Sequence, residues 1–320
     1  MPRITLGAAL ALVAASSLAQ PYPSRPVNFI LPVPPGGALD ILARAIGQDF
    51  TKRTGGGTLV VVNRPGADFL IATDACSKSK PDGYTMCMIL RDSLFITPLL
   101  QKVPYDPEHA FTPVTNMVYL QNVLVAHASV PAKNFRELVE YSKKNPDKLN
   151  YTAFGSSQLT IEWVKQQTGL QMQFIRYKGQ ADANKDFLGG RLQVYYPAIG
   201  NAGLAGDING GRITGLIVPG NKRMPQIPNV PSFIEAGLPN FDPSYWYGAF
   251  AAAATPREIV DRLAGEIERI IAAPDVNEKL VGQGLKPYFA GPDRLSALMV
   301  SEVAKYANVI RTANISPPAN

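Results

Sequence analysis

Two histidines and two cysteines in 320 residues leave little material for metal or nucleophile chemistry. A zinc site built only from these side chains would consume all four, and their spacing matches no usual ligand pattern. His109 and His127 have no neighbouring Ser or Cys with which to form a nucleophile–base pair. The Gly-x-Ser-x-Gly elbow, His-Glu-x-x-His, the Walker A loop and Gly-x-Gly-x-x-Gly are all missing. The sequence therefore argues against an enzyme, and no cofactor and no metal are expected. Charge is sparse as well: 18% of residues are charged and the formal net charge is +6. No basic run exceeds pairs such as Lys143-Lys144 or Lys222-Arg223, so there is no stripe to track a phosphate backbone, and nucleic acid is disfavoured. Beyond the N-terminus, no apolar run approaches the length of a membrane-spanning helix.

What the chain has is apolar substance and punctuation. Hydrophobic residues make up 46%, with 27 Gly and 28 Pro, too apolar for disorder and enough for two domains with real cores. Met1-Pro2-Arg3, the apolar stretch Leu6 to Leu18 and the small residues of Ser17-Leu18-Ala19 follow the order of a secretory signal, with residues 1–19 expected to be removed. Export would place Cys76 and Cys87 in an oxidising compartment. They flank the turn Lys80-Pro81-Asp82-Gly83, and two readings stand: a disulfide between a helix and a strand, or two buried thiols.

From Pro26 the pattern is strand, tight turn, helix, repeated. Strands are expected at Val27 to Leu31, Thr58 to Val62, Tyr84 to Leu90, Leu149 to Phe154, Gln173 to Tyr177, Leu192 to Pro197 and Ile213 to Val218. Helices are expected at Leu39 to Thr51, Leu70 to Lys78, Phe135 to Lys143, Gln158 to Gln167, Ala183 to Leu188, Val276 to Gln283 and Pro292 to Ile310. Another opens at Thr255-Pro256, with Thr255 as cap and Pro256 as the first helical residue. Two extended runs, Val114 to Ala126 and Tyr245 to Ala254, read as crossings between two α/β lobes.

Two turns suit an anion. Pro34-Pro35-Gly36-Gly37-Ala38 and Phe154-Gly155-Ser156-Ser157-Gln158 each follow a strand and open a helix, one in each half. Backbone N–H groups at a helix start carry about half a positive charge, which fits a carboxylate without a buried Lys or Arg. Asp40 reads as a first-turn carboxylate that satisfies such N–H groups rather than as a general base.

Tyr22-Pro23-Ser24-Arg25-Pro26, Pro35-Gly36-Gly37 with Asp40, Asn63-Arg64-Pro65-Gly66-Ala67 and Pro81-Asp82-Gly83-Tyr84-Thr85 come in a telling order. Pro104-Tyr105-Asp106-Pro107, Tyr177-Lys178-Gly179, Leu188-Gly189-Gly190, Pro228-Asn229-Val230-Pro231 and Glu235-Ala236-Gly237-Leu238-Pro239 continue it. Together these motifs resemble the substrate-binding proteins of tripartite tricarboxylate transporters, the Bug family, over about Tyr22 to Ile310. The resemblance implies a two-lobed, type II-like periplasmic binding protein fold. Each lobe would be a mostly parallel sheet flanked by helices, joined by two crossover segments. Residues 20–123 plus 250–320 would form lobe 1, and 124–249 lobe 2. It implies a monomeric receptor in the periplasm. That receptor would capture an organic carboxylate, di- or aromatic, and present it to a small and a large integral-membrane subunit. The alternative is a periplasmic solute sensor that signals to a membrane receptor without transport.

Carried over by position, the resemblance makes Pro35, Gly36, Gly37, Ala38, Leu39, Asp40, Ser156, Ser157 and Gln158 ligand-binding residues. Tyr177, Lys178 and Gly179 would shape the wall of lobe 2, and Ala198, at the rim, is a further ligand-binding candidate. The departures from the family pattern leave alternatives open. Leu39 adds an apolar wall or turns into the core, and Phe69 and Tyr119 line the cleft or pack inside. Pro197-Ala198-Ile199 replaces a more polar rim, which disfavours an amino-acid ligand. Arg91-Asp92-Ser93 stands where relatives carry small or uncharged residues; Arg91 either meets a second ligand carboxylate or pairs with Asp92.

Overall fold

The computed structural model describes residues 22–54, 57–154, 156–177, 180–201, 203–239 and 245–313. The expected signal segment lies outside them, as do Gly155, Lys178 and Gly179. Eleven strands are present among the described residues: β1 Val27–Leu31, β2 Leu59–Asn63, β3 Thr85–Leu90, β4 Phe111–Leu120, β5 Leu124–His127, β6 Asn150–Thr152, β7 Gln173–Phe174, β8 Val194–Tyr195, β9 Ile213–Ile217, β10 Tyr245–Ala252 and β11 Leu285–Ala290. They form two sheets, ordered β11-β4-β10-β3-β1-β2 and β7-β6-β8-β5-β9.

Helix-connected strands pair in parallel: β1 with β2 and β3, and β6 with β7 and β8. The strands next to the crossings run the other way. In the first sheet β10 is antiparallel to β3 and β4, and β11 to β4; in the second, β5 is antiparallel to β8 and β9. Both sheets are therefore mixed. The parallel part comes from βαβ units, and a strand that links the lobes meets its neighbours in the opposite direction. The extended run Val114 to Ala126 is two strands, one in each sheet, joined through Gln121, Asn122 and Val123. The second run does not cross. Strand β10 pairs along its whole length within the first sheet, so a division at 249/250 cuts a strand, and the chain is back in the first lobe by Tyr245.

Helices Ala38–Arg53 and Arg257–Ala272 cover one face of the first sheet. Leu42, Ile46, Phe50, Val260, Leu263 and Ile267 are buried there against Phe29, Met86, Met88 and Val118. On the other face a single buried cluster runs from Ile89, Trp246 and Phe250 to Leu124, Tyr151, Leu159 and Leu216, which belong to the second lobe. Apolar burial thus joins the lobes as well as filling them.

Cys76, on the helix Leu70–Ser77, is disulfide-bonded to Cys87 on β3, with the Cα atoms 6.0 Å apart. The bond closes an 11-residue separation. Its reduction is expected to lower the unfolding free energy by about 3 kcal/mol. Urea titrations with and without reductant measure this, and an unchanged midpoint would contradict it.

Two local expectations change. The helix expected to begin at Pro256 begins at Arg257, with Pro256 at the cap position, because the Thr255 hydroxyl donates backwards to the Ala252 carbonyl (2.7 Å) instead of capping. Strand β11 was not among the expected strands, and Pro287 stands inside it. It is tolerated because β11 is an edge strand whose register shifts between Pro287 and Ala290.

Candidate functional site

Strand β1 ends at Leu31, and the chain turns through Pro34 to Gly37 into the helix Ala38–Arg53. Gly36 has φ +92°, which only glycine adopts cheaply. A methyl group added at Gly36 or Gly37 would meet nothing within 4 Å, so the turn faces open space, with Pro35 exposed beside it. Asp40 is buried and folds back on this turn. Its Oδ2 accepts from the Gly36 N–H (3.0 Å) and Arg44 Nε (2.8 Å), and its Oδ1 from Arg44 Nη2 (3.1 Å) and Asn63 Nδ2 (2.9 Å). The Arg44 guanidinium above all, helped by Gly36 and Asn63, holds the Asp40 carboxyl down at about 2 despite its burial.

Asp40 therefore builds the turn, and it takes the Gly36 N–H that was expected to face an anion. The N–H groups of Gly37, Ala38 and Leu39 precede the first intrahelical bond, from Ile41 N–H to the Gly37 carbonyl, and have no partner within the helix. Asp40→Ala is expected to cost about 1–3 kcal/mol at neutral pH, because four N–H donors on three residues lose a buried acceptor. Because the folded-state value lies below the ordinary 3.8, the stability Asp40 supplies is complete above about pH 4 and is lost as the pH falls towards 2. Unfolding curves of the wild type and Asp40→Asn should converge over that window. Parallel curves would refute the assignment.

In the second lobe, β6 leads through Phe154 to the helix Ser157–Thr168. Ser156 and Ser157 are buried, and Gln158 is half-buried in the first turn. Neither Ser156 donor is left for water. Its N–H donates to Asp92 Oδ2 (2.9 Å) and its hydroxyl to Asp92 Oδ1 (2.6 Å). Asp92 comes from the other lobe, on the short helix Arg91–Phe95 that follows β3.

Arg91 is fully buried, with 0% of its surface exposed. It donates through Nε to Asp92 Oδ1 (3.3 Å), through Nη1 to Glu302 Oε2 (3.1 Å) and through Nη2 to the Ser156 hydroxyl (3.2 Å). Its guanidinium also lies over the Tyr245 ring, 4.5 Å from the centroid. Of the two readings left open for Arg91, the structure has the pairing with Asp92 and extends it to Glu302 and Ser156. The physical reason is burial: a guanidinium taken out of water needs carboxylates at hand. The Tyr245 hydroxyl is buried beside the Ser156 and Ser157 side chains but out of hydrogen-bond geometry with them, and burial pushes its ionisation up to about 12.

Sequence reasoning thus named Arg91 and Ser156 but not their meeting, and it gave neither Glu302 nor Tyr245 a role at the site. No local pattern marks either residue; each matters only through partners far along the chain. The remaining expected residues are placed as follows. Leu39 is buried in the first-lobe core, so it is no wall of the cleft. Phe69, at φ +73°, packs against that core at the start of the helix Leu70–Ser77, and the Tyr119 ring meets Tyr288 with centroids 4.9 Å apart. The Tyr177 hydroxyl donates to Asp186 Oδ2 (3.0 Å). Ala198 forms an isolated bridge with Asn122, beside the crossing out of β4.

The family model described as the tripartite tricarboxylate transporter family receptor matches residues 42–315. The chain is similar to BugT of Bordetella pertussis, with 31% identity over 311 residues, covering 95% of this chain and 94% of BugT. Among solved structures it is similar to a Rhodopseudomonas palustris protein with adipate: 29% identity, TM-score 0.80, covering 92% of this chain and 99% of that one. It is also similar to MatC of Rhodopseudomonas palustris with bound malate: 25% identity, TM-score 0.76, covering 90% and 100% of the respective chains.

Proposed function

The chain belongs to the tripartite tricarboxylate transporter receptor family, whose members are solute-binding receptors rather than enzymes, and on that premise we propose that it captures an organic dicarboxylate between its lobes in the periplasm and delivers it to a small and a large membrane subunit. Residues 1–19 act as the export signal. One observation carries the reading: the helix-start donors of Ser156 already hold a carboxylate in this structure, that of Asp92. An N–H and a hydroxyl on one carboxylate make a site whose chemistry suits an acid, and the open Gly37 turn of the other lobe offers a second set of N–H donors. The similar proteins solved with adipate and with malate support an aliphatic dicarboxylate.

A thermal-shift screen with adipate, malate, citrate, benzoate and acetate tests this. A ligand at about a hundred times its Kd should stabilise the folded protein by about 2.7 kcal/mol. A flat response to every acid would overturn the reading.

A further inference from the structure

The contact that holds a carboxylate at Ser156 is made by the protein itself, and it joins the two lobes. Asp92 stands at the start of a first-lobe helix, while Ser156 opens a second-lobe helix, 64 residues further along the chain. Both Asp92 oxygens are used, on the N–H and on the hydroxyl of one residue. Behind them Arg91 ties Asp92 to Glu302, on the C-terminal helix Pro292–Ala313, and reaches Ser156 as well. Asp92, Ser156 and Glu302 are each more than nine-tenths buried, and Arg91 is fully so. The Tyr245 hydroxyl, buried with no hydrogen bond of its own, lies beside the same two serines. A ligand carboxylate that used the Ser156 donors would have to take the place of Asp92.

We propose that Asp92 is a built-in carboxylate competitor: it occupies the Ser156 donors when no solute is bound, holds the lobes closed, and is displaced by the incoming acid. The proposal rests on the reading of the Ser156 turn as a carboxylate site. Arg91 is the positioning residue. Its guanidinium keeps Asp92 aimed at Ser156, and it retains Asp92 through Nε once the serine is given up. Displacement is an exchange of one carboxylate for another on the same donors, so its balance is set by what else the ligand touches. An acid with a second carboxylate on the Gly37 turn gains there what the exchange at Ser156 does not supply. The self-closed state lowers the apparent affinity in proportion to its population.

Small-angle scattering of the ligand-free full chain tests the proposal, using the wild type, Asp92→Ala and Asp92→Asn. The asparagine variant keeps the side-chain volume, and far-UV circular dichroism confirms that each variant is folded. The wild type is expected to scatter as the closed particle and to keep its radius of gyration when adipate is added. The variants should show an open fraction at least tenfold higher and a larger radius. Equal radii for the wild type and the folded variants, or contraction of the wild type on adding adipate, would overturn the proposal. The ligand-free comparison involves no solute, so its outcome is separate from the acid screen. A closed wild type that ignores every acid would overturn the proposed function and the competitor role with it, leaving Asp92 only a latch, whereas an open wild type that binds adipate would overturn the competitor alone.

Discussion

Arg91→Met is expected to lower the unfolding free energy by about 3–5 kcal/mol, read from urea titration at neutral pH. Removing the guanidinium leaves the Asp92 and Glu302 carboxylates facing a buried methionine, both in places with almost no access to water. Desolvated charge without its counter-charge is the expensive state, whereas a matched apolar replacement of both partners is much cheaper. Arg91→Met combined with Glu302→Leu should therefore recover part of the loss, and the two substitutions should couple by about 0.5–3 kcal/mol in a double-mutant cycle. Arg91→Lys should recover little, because a single ammonium cannot reproduce the fork that reaches Asp92, Glu302 and Ser156 together. Strict additivity, or a loss below 1 kcal/mol, would mean that the network is not a unit.

Gly200→Ala is the second large effect, at about 3 kcal/mol. Gly200 follows β8 in the second lobe, and a methyl group added there would lie 1.6 Å from the Gln283 carbonyl oxygen of the first lobe. The clashing atom is backbone, so no side chain can swing aside. The opposing residue, Gly284 at φ +72°, is equally confined: its added methyl would lie 2.3 Å from the Gly200 nitrogen. Gln121, in the crossing between β4 and β5, ties the two glycines together. Its N–H donates to the Gly284 carbonyl (3.2 Å), and its carbonyl accepts from the Ile199 N–H (2.8 Å). The glycine contact therefore sits beside the crossing between the lobes, where backbone hydrogen bonds hold both chains in place. Gly265→Ala is the control. Gly265 lies inside the helix Arg257–Ala272 with nothing within 4 Å of an added methyl, so that change should stabilise by up to about 1 kcal/mol. Equal melting shifts for the two variants would refute the steric argument.

Much of the fold was legible because it is written locally. The strand Val27–Leu31 is a short apolar run closed by a turn, and the helix Ala38–Arg53 follows with its acidic first turn and basic last turn. Asp40 reaches Gly36, four residues away, so its role in shaping the turn was readable from spacing. What failed to show was also physical. Strand β11 carries a proline that an edge position excuses, and only sheet order reveals an edge. The extended run at Tyr245 looked like a crossing because an apolar stretch does not say which sheet its neighbours belong to.

By itself the sequence determined the family, the alternation of strands and helices, and the two helix-start turns. Periodicity and turn residues suffice for these, since each is decided within a few neighbouring residues. Only the tertiary structure decided what Arg91 is for. Its partners Ser156 and Glu302 lie 65 and 211 residues away, and no local pattern encodes which buried charges will meet. Once folding removes that guanidinium from water, its desolvation cost demands carboxylates, one from its own short helix and one from the C-terminal helix, and the first of these lands on the donors of the second turn.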